Sequence, residues 1–333
     1  MNKSIGEITE KTKKRISRIK RRIDRKILWP LISPLYVDYD PDYRNSIFLA
    51  GVEKSGTTWV SDIIINYKHE YRYVYEPFWP QRVDICREFR LYQYLRPENR
   101  DSYFIEATEA ILSGRIRNKW VDQYHRRFIA NKRLIKDVCS NLLLKWMHSN
   151  FPGLPIILLL RHPCAVARAQ LRREFWDPDL REEYLVQEAL MEDFLNPFKE
   201  EIEKAQTRFE KFIFRWCIQN YVPLKQFKRG EIHLAFYESF CEKPKSEIDR
   251  LFSFLGTNYD EAIFANLKKP SSRVRPDSAI ITGDSLIDSW REHITDERIQ
   301  RAVEILHLFG LDRIYAHDSV PNVAGAYNMM EDN

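Results

Sequence analysis

The chain has 333 residues, 44% of them hydrophobic and 13% aromatic, enough apolar material for a packed core, which excludes disorder throughout. Net charge is +5, but residues 1–26 hold eleven Lys or Arg against Glu7, Glu10 and Asp24. Everything after Lys26 is therefore net negative, and the body makes no general case for a nucleic-acid binder. The five cysteines are scattered and never spaced as C-x-x-C, which argues for a reducing compartment and against a structural zinc site. With no apolar signal-peptide core and no run near the ~20 residues of a membrane span, a cytoplasmic protein is expected. The length suits one enlarged α/β domain or two small ones.

Residues 1–43 read as a basic arm, helical where Ile16, Ile19, Ile23 and Ile27 repeat at +3, +4 and +4. Two readings fit it: an interfacial helix on anionic lipid with Trp29 at the headgroups, or a solvated arm packing its isoleucines on the body or a second subunit. Pro41-Asp42-Tyr43-Arg44 marks a boundary. Ser46 to Tyr67 then reads as strand, turn and helix: apolar Ile47 to Ala50, the loop Gly51-Val52-Glu53-Lys54-Ser55-Gly56-Thr57-Thr58, and Trp59, Val60, Ile63, Ile64 and Tyr67 at helical spacing. Tyr71 to Tyr75 reads as a strand, stopped by Glu76-Pro77-Phe78-Trp79-Pro80, so Glu76 falls on a loop at a strand end.

Arg82 to Leu95 and Ser113 to Ile129 read as helices, Arg133 to Val138 as a short buried strand, and Asn141 to Asn150 as a helix. Pro155 to Arg161 is the clearest strand, apolar without alternation, as a central parallel strand covered on both faces should be. A helix starts at Cys164. Residues 174–225 read as a long helical pair, Ile232 to Glu238 as a further strand, and Lys245 to Leu255 as a helix closed by Gly256. Pro270 to Asp284 reads as loop, Arg298 to Phe309 as the last helix, and 318–333 as a flexible tail without periodicity. The predicted fold is α/β: a three-layer, mostly parallel central sheet of P-loop nucleotide-kinase-like type flanked by helices.

A strand–loop–helix unit of this kind turns backbone N–H groups and a positive helix end towards an oxyanion. Gly51-x4-Gly56 matches the start of a Walker P-loop, yet Thr57 stands where its lysine belongs, and the clearest strand ends in Arg161 rather than a metal-binding Asp. Both departures disfavour a metal-nucleotide kinase, which stays as the rival reading. The lysine lies early, in Lys54-Ser55-Gly56-Thr57-Thr58-Trp59. That stretch resembles the 5′-phosphosulfate loop of sulfotransferases using 3′-phosphoadenosine 5′-phosphosulfate (PAPS). Three further stretches are similar to the same family in order: Leu159 to Val166; Phe236-Tyr237-Glu238-Ser239 through Pro244 to Gly256; and Gly283-Asp284, Trp290-Arg291 and Ile294-Thr295. Residues 44–317 would form the sulfotransferase domain.

The resemblance implies metal-independent, in-line transfer of a sulfuryl group from PAPS to an acceptor hydroxyl, leaving adenosine 3′,5′-bisphosphate (PAP). The acceptor would be a carbohydrate, lipid or small metabolite. Lys54 would face the oxygen bridging sulfur and the 5′-phosphate; Ser55, Gly56, Thr57 and Thr58 would hold that phosphate; Trp59 would stack on adenine with Tyr237 near it; Arg161 would pair with the 3′-phosphate. Where the family commonly has a serine, this chain has Ala169, so that hydrogen bond would come from elsewhere, among Arg168, Arg273 and Arg275. The histidine of the family's Lys-Thr-His is missing from Lys136-Asp137-Val138. Glu76-Pro77 is similar to a Glu-Pro of carbohydrate sulfotransferases, so Glu76 is the expected base, with Asp137 or His125 as alternatives, and Lys136 would help neutralise the sulfuryl oxygens. Because Ala169 and Val138 replace familiar functional residues, a non-catalytic binding module remains a third reading.

Overall fold

A computed structural model describes Leu31 and residues 33–68, 71–124, 128–172, 177–267, 269–271 and 279–331. Residues 1–30 of the expected arm, His125, Arg273 and Arg275 lie outside the described residues.

Five strands form one sheet in the order β3-β5-β2-β6-β7: β2 (Ser46–Gly51), β3 (Tyr71–Tyr75), β5 (Lys132–Asp137), β6 (Ile156–Leu160) and β7 (His233–Phe236). Every pairing is parallel, so all five strands end on one edge. The sheet is covered on both faces, and alternate residues enter different cores. Phe48, Ala50, Ile135, Leu158 and Leu160 pack with α4 (Pro163–Leu171) and the long α5 (Arg208–Gln226). Ile47, Leu49, Leu134, Ile157 and Leu159 pack with α1 (Thr57–Lys68) and α7 (Pro244–Phe254). This two-sided burial explains the uninterrupted apolar runs in the sequence.

A second, two-stranded sheet pairs β1 (Val37–Asp38) with β4 (Ile129–Ala130) at the starting edge of the main sheet. A buried ion-pair network binds the two. Arg133 donates to Asp38 Oδ1 (2.6 Å), Ser46 Oγ (2.7 Å) and the carbonyls of Asp40 and Asp42. Arg72, its neighbour across β3 and β5, donates to Asp122 (2.7 Å) and to the carbonyls of Gly114 and Ile116.

Several expectations need correction. The helix expected over 82–95 is a series of turns around one 3₁₀ turn, Asp84–Cys86; a helix α2 does form just before the second expected one, at Ser102–Leu112, and is followed by turns and irregular chain instead of a helix over 113–124. In the 174–225 pair the first member is an irregular helical run that switches between α, π and 3₁₀ geometry over residues 188–203, and α5 is the regular long helix. Helix α8 (Asp296–Leu308) is not the last: the tail expected to be flexible holds α9 (Val323–Glu331), which buries Ala326, Met329 and Met330. Arg250 donates to the Tyr327 hydroxyl and pins α9 in place.

Replacing one member of a buried ion network strands its partners. Arg133→Leu is expected to destabilise the fold by about 3–5 kcal/mol in urea unfolding, whereas a loss below about 1 kcal/mol would show that the network does not hold β1 and β4 to the sheet.

Candidate active site

The carboxyl ends of β2, β3, β5 and β6 open into a cleft of about 560 Å³. At its floor the phosphate-loop sequence leaves β2. Gly51 must be glycine: a Cβ there would meet the Leu159 carbonyl at 2.7 Å and Ser55 Oγ at 2.8 Å. Lys54 sits in the left-handed region at φ 76°, where a side chain is disfavoured, and its carbonyl accepts from Arg161 Nη1 (3.3 Å). Gly56 (φ 99°) lies under Tyr237, whose Cδ2 a Cβ would approach to 2.6 Å. Helix α1 then begins at Thr57; the Trp59 and Val60 N–H groups donate to the Gly56 carbonyl, so the amides of Thr57 and Thr58 are the first-turn donors without an intrahelical acceptor. Lys54, Gly56, Thr57, Thr58 and Trp59 line the cleft. Ser55 is buried, and its hydroxyl has no partner among the described residues. Trp59 packs against Tyr237 (ring centroids 5.3 Å apart) and Phe240.

The second wall follows β3. Glu76 is also left-handed (φ 41°), although it precedes a proline, a position that disfavours helical conformations. Three contacts hold it there. Its N–H donates to the Lys136 carbonyl (2.7 Å), its carbonyl accepts from Trp120 Nε1 (3.1 Å), and its carboxylate Oε1 pairs with Lys136 Nζ at 2.5 Å. Glu76 and Lys136 both line the cleft, and the Lys136 ammonium lies 5.0 Å from the Tyr75 ring centroid. Asp137 is fully buried and faces away. Its carboxylate accepts from the N–H groups of Phe78 (3.0 Å) and Cys139 (2.7 Å), and burial raises it to about 6. It clamps the two loops that present Glu76 and Val138 and is not among the cleft residues.

The third wall carries arginines. Arg161, just after β6, stacks its guanidinium 4.0 Å from the Tyr237 ring centroid, while Arg168 and Arg172 reach the same cleft from α4 beside Ala165 and Ala169. Burial lowers the pKa of Arg168, and the charges of Arg172 and Arg161 lower it further, as expected where cations are gathered for an anion. The next residue, His162, is spoken for. Its Nδ1 accepts from Cys164 N–H to cap α4, so Nε2 donates to the Ala316 carbonyl, and burial depresses its pKa to about 3. Glu238, at the start of α6 (Tyr237–Glu242), accepts from His162 N–H (2.8 Å) and the Tyr315 hydroxyl (2.8 Å), which fixes the turn that aims Arg161.

The structure thus brings Lys54, Gly56, Thr57, Thr58, Trp59, Glu76, Lys136, Arg161 and Tyr237 to one cleft, with Ser55 directly beneath. Sequence reading missed Arg172 and the aromatic wall of Tyr75, Trp79 and Trp120. Arg172, just past the end of α4, could have been found four residues after Arg168; Trp120, inside an expected helix, carried no signal.

Fold and cleft together define an α/β transferase with a phosphate loop. The chain belongs to the sulfotransferase domain family, whose profile, "Sulfotransferase domain", matches residues 44–308. It is similar to nodulation protein NoeE of Sinorhizobium fredii, 23% identical over 279 residues, 78% of this chain and 63% of that protein, so it spans less than two thirds of this relative. Solved structures with a similar chain path include mouse sulfotransferase SULT7A1 complexed with PAP (14% identity, TM-score 0.45, 93% of this chain and 94% of that one). The sulfotransferase domain of the Synechococcus PCC 7002 olefin synthase is another (16% identity, TM-score 0.45, 80% and 96%).

Burial raises Glu238 to about 6, above its ordinary 4.5, so the folded protein gains a proton there before the unfolded chain does. That contribution is present at low pH and is lost as pH rises through about 6. The stability difference between wild type and Glu238→Gln should therefore shift towards wild type on acidification from pH 7 to pH 5 in paired urea titrations. A difference independent of pH would mean that this carboxyl stays ionised.

Proposed function

We propose that the chain moves a sulfuryl group from PAPS to the hydroxyl of a small-molecule acceptor. The observation that carries this is the meeting of two strained, non-glycine residues, Lys54 and Glu76, across one cleft. Backbone strain of about 1–3 kcal/mol per residue persists where the surrounding structure over-determines it, and such residues concentrate at working sites. The residues fit the donor: Gly51 and Gly56 leave a cradle that a Cβ would fill, Ser55 offers an unpartnered buried hydroxyl, and Arg161, Arg168 and Arg172 crowd one wall. When bound, the donor supplies a sulfuryl group carried on a 5′-phosphate oxygen.

The chain's residues divide the work. Amides of the loop and of the first turn of α1, with the Ser55, Thr57 and Thr58 hydroxyls, hold the 5′-phosphate, and Arg161, stiffened by Tyr237, takes the 3′-phosphate. Arg168 is the described residue best placed to make up for Ala169. Lys54 puts its cation where negative charge grows during bond cleavage. Glu76 Oε1 is held by Lys136, which fixes the carboxylate's orientation and leaves Oε2 for the hydroxyl proton. Once Glu76 takes that proton, the pair changes from neutral to positive on the wall where the transferred oxygens lie. Lys136 therefore acts twice, first as a positioning partner and then as an electrostatic one. Tyr75, Trp79 and Trp120 supply flat faces for the ring of an acceptor.

PAP should bind in calorimetry without Mg²⁺; Mg²⁺-dependent ATP binding in its place would overturn the reading in favour of a kinase. Glu76→Gln is expected to cut kcat by about 10²–10⁴-fold with PAP affinity nearly unchanged, and full activity would move the base elsewhere. Gly56→Ala, which drives a Cβ into Tyr237, should weaken PAP at least about tenfold through loss of both the loop and the Arg161 stack.

A further inference from the structure

The two-stranded sheet is built inside out. Asp38 and Ala130 point inward, Asp38 onto Arg133 and Arg72, whereas Val37, Tyr39 and Ile129 point to solvent. A strand pair facing water normally shows the reverse, apolar in and polar out. Phe128, stacked on Tyr36 (centroids 5.4 Å), and Leu31 and Leu35 extend the face, and all six large apolar side chains are at least half exposed. The patch is also rigid. Arg117 donates twice to the Tyr36 carbonyl, β1 is paired with β4, and the Arg133–Asp38 ion pair lies under it. An apolar surface held in place by buried charges is a feature that the fold maintains rather than a loose end.

We infer that this face docks on a lipid bilayer bearing anionic headgroups. The choice of occupant follows from charge. In sequence the patch follows residues 1–26, whose eleven Lys or Arg stand against only three acids, and Ile16, Ile19, Ile23 and Ile27 repeat at helical spacing. Covering an apolar patch requires no cations, whereas an anionic bilayer surface satisfies a cationic segment and an apolar face together. Among the described residues no helix is long and apolar enough to cross a membrane, which fits attachment from one side. The geometry sets the orientation. β4 leads into the start of β5, and the cleft lies where β5 ends, so strands of this length put roughly 15–20 Å of sheet between patch and cleft. Docked this way, the protein turns its cleft away from the lipid.

Co-sedimentation of the full chain with vesicles tests this. Wild type is expected to bind phosphatidylcholine vesicles containing phosphatidylglycerol and not pure phosphatidylcholine vesicles. The double variant Leu35→Ser/Ile129→Ser, and separately Lys20→Gln/Arg21→Gln/Arg22→Gln, should each lower binding at least about tenfold at unchanged melting temperature. If the double variant melts early, Tyr39→Ser alone, on the rim, decides in the same assay. The inference is overturned if wild type ignores anionic vesicles, if the patch variants bind as wild type does, or if wild type is a dimer that the patch variants dissolve, which would make a second copy the occupant.

Discussion

Two left-handed residues facing each other across a cleft are the constraint on which the site depends. Neither Lys54 nor Glu76 would hold such a conformation alone, and each is fixed by an element distant in sequence: Arg161 reaches the Lys54 carbonyl, while Lys136 and Trp120 hold both ends of the Glu76 peptide. The strain is therefore maintained by the sheet. Parallel strands ending on one edge bring residues 54, 76, 136 and 161 to one place, and their buried neighbours Asp137 and Glu238 clamp the connecting loops. Burial makes these two carboxylates costly to ionise, yet each accepts two hydrogen bonds that a neutral side chain would satisfy less well.

Charge is sorted along the sheet. At the starting edge, Arg72 and Arg133 are matched by Asp122 and Asp38 and by backbone carbonyls, so that end is closed and electrically settled. At the finishing edge, Lys54, Arg161, Arg168 and Arg172 share the cleft wall with Glu53 and Glu76. Between these two edges of the sheet, the excess of cations lies at the one that opens into a cleft.

The central strands were legible because burial on both faces removes alternation, and Ile156–Leu160 could be read almost to the residue. The loop was legible because glycine is obligatory where Leu159 and Tyr237 crowd the backbone. The segments between strands were not. Val83, Phe89, Tyr92, Tyr94 and Leu95 are buried without helical phase, since Tyr92 itself is left-handed (φ 58°), and Gly114 (φ 71°) ends α2 where the sequence suggested that a helix was starting. The Glu76–Lys136 pair joins residues sixty positions apart, a contact that no local pattern encodes. The closing helix was missed because Gly325, Ala326, Met329 and Met330 make a narrow apolar stripe in a short segment.

Tyr237 has a consequence beyond packing. Its ring lies close against Gly56 and stacks with the Arg161 guanidinium, which also reaches the loop directly at the Lys54 carbonyl. That ring is buried and braced by Trp59, so it ties the loop and the arginine to one relative position. In the proposed reaction the cleft would act as a caliper set to one opening, matching a nucleotide by the span between its phosphates, and a ligand with only one phosphate would meet only one jaw.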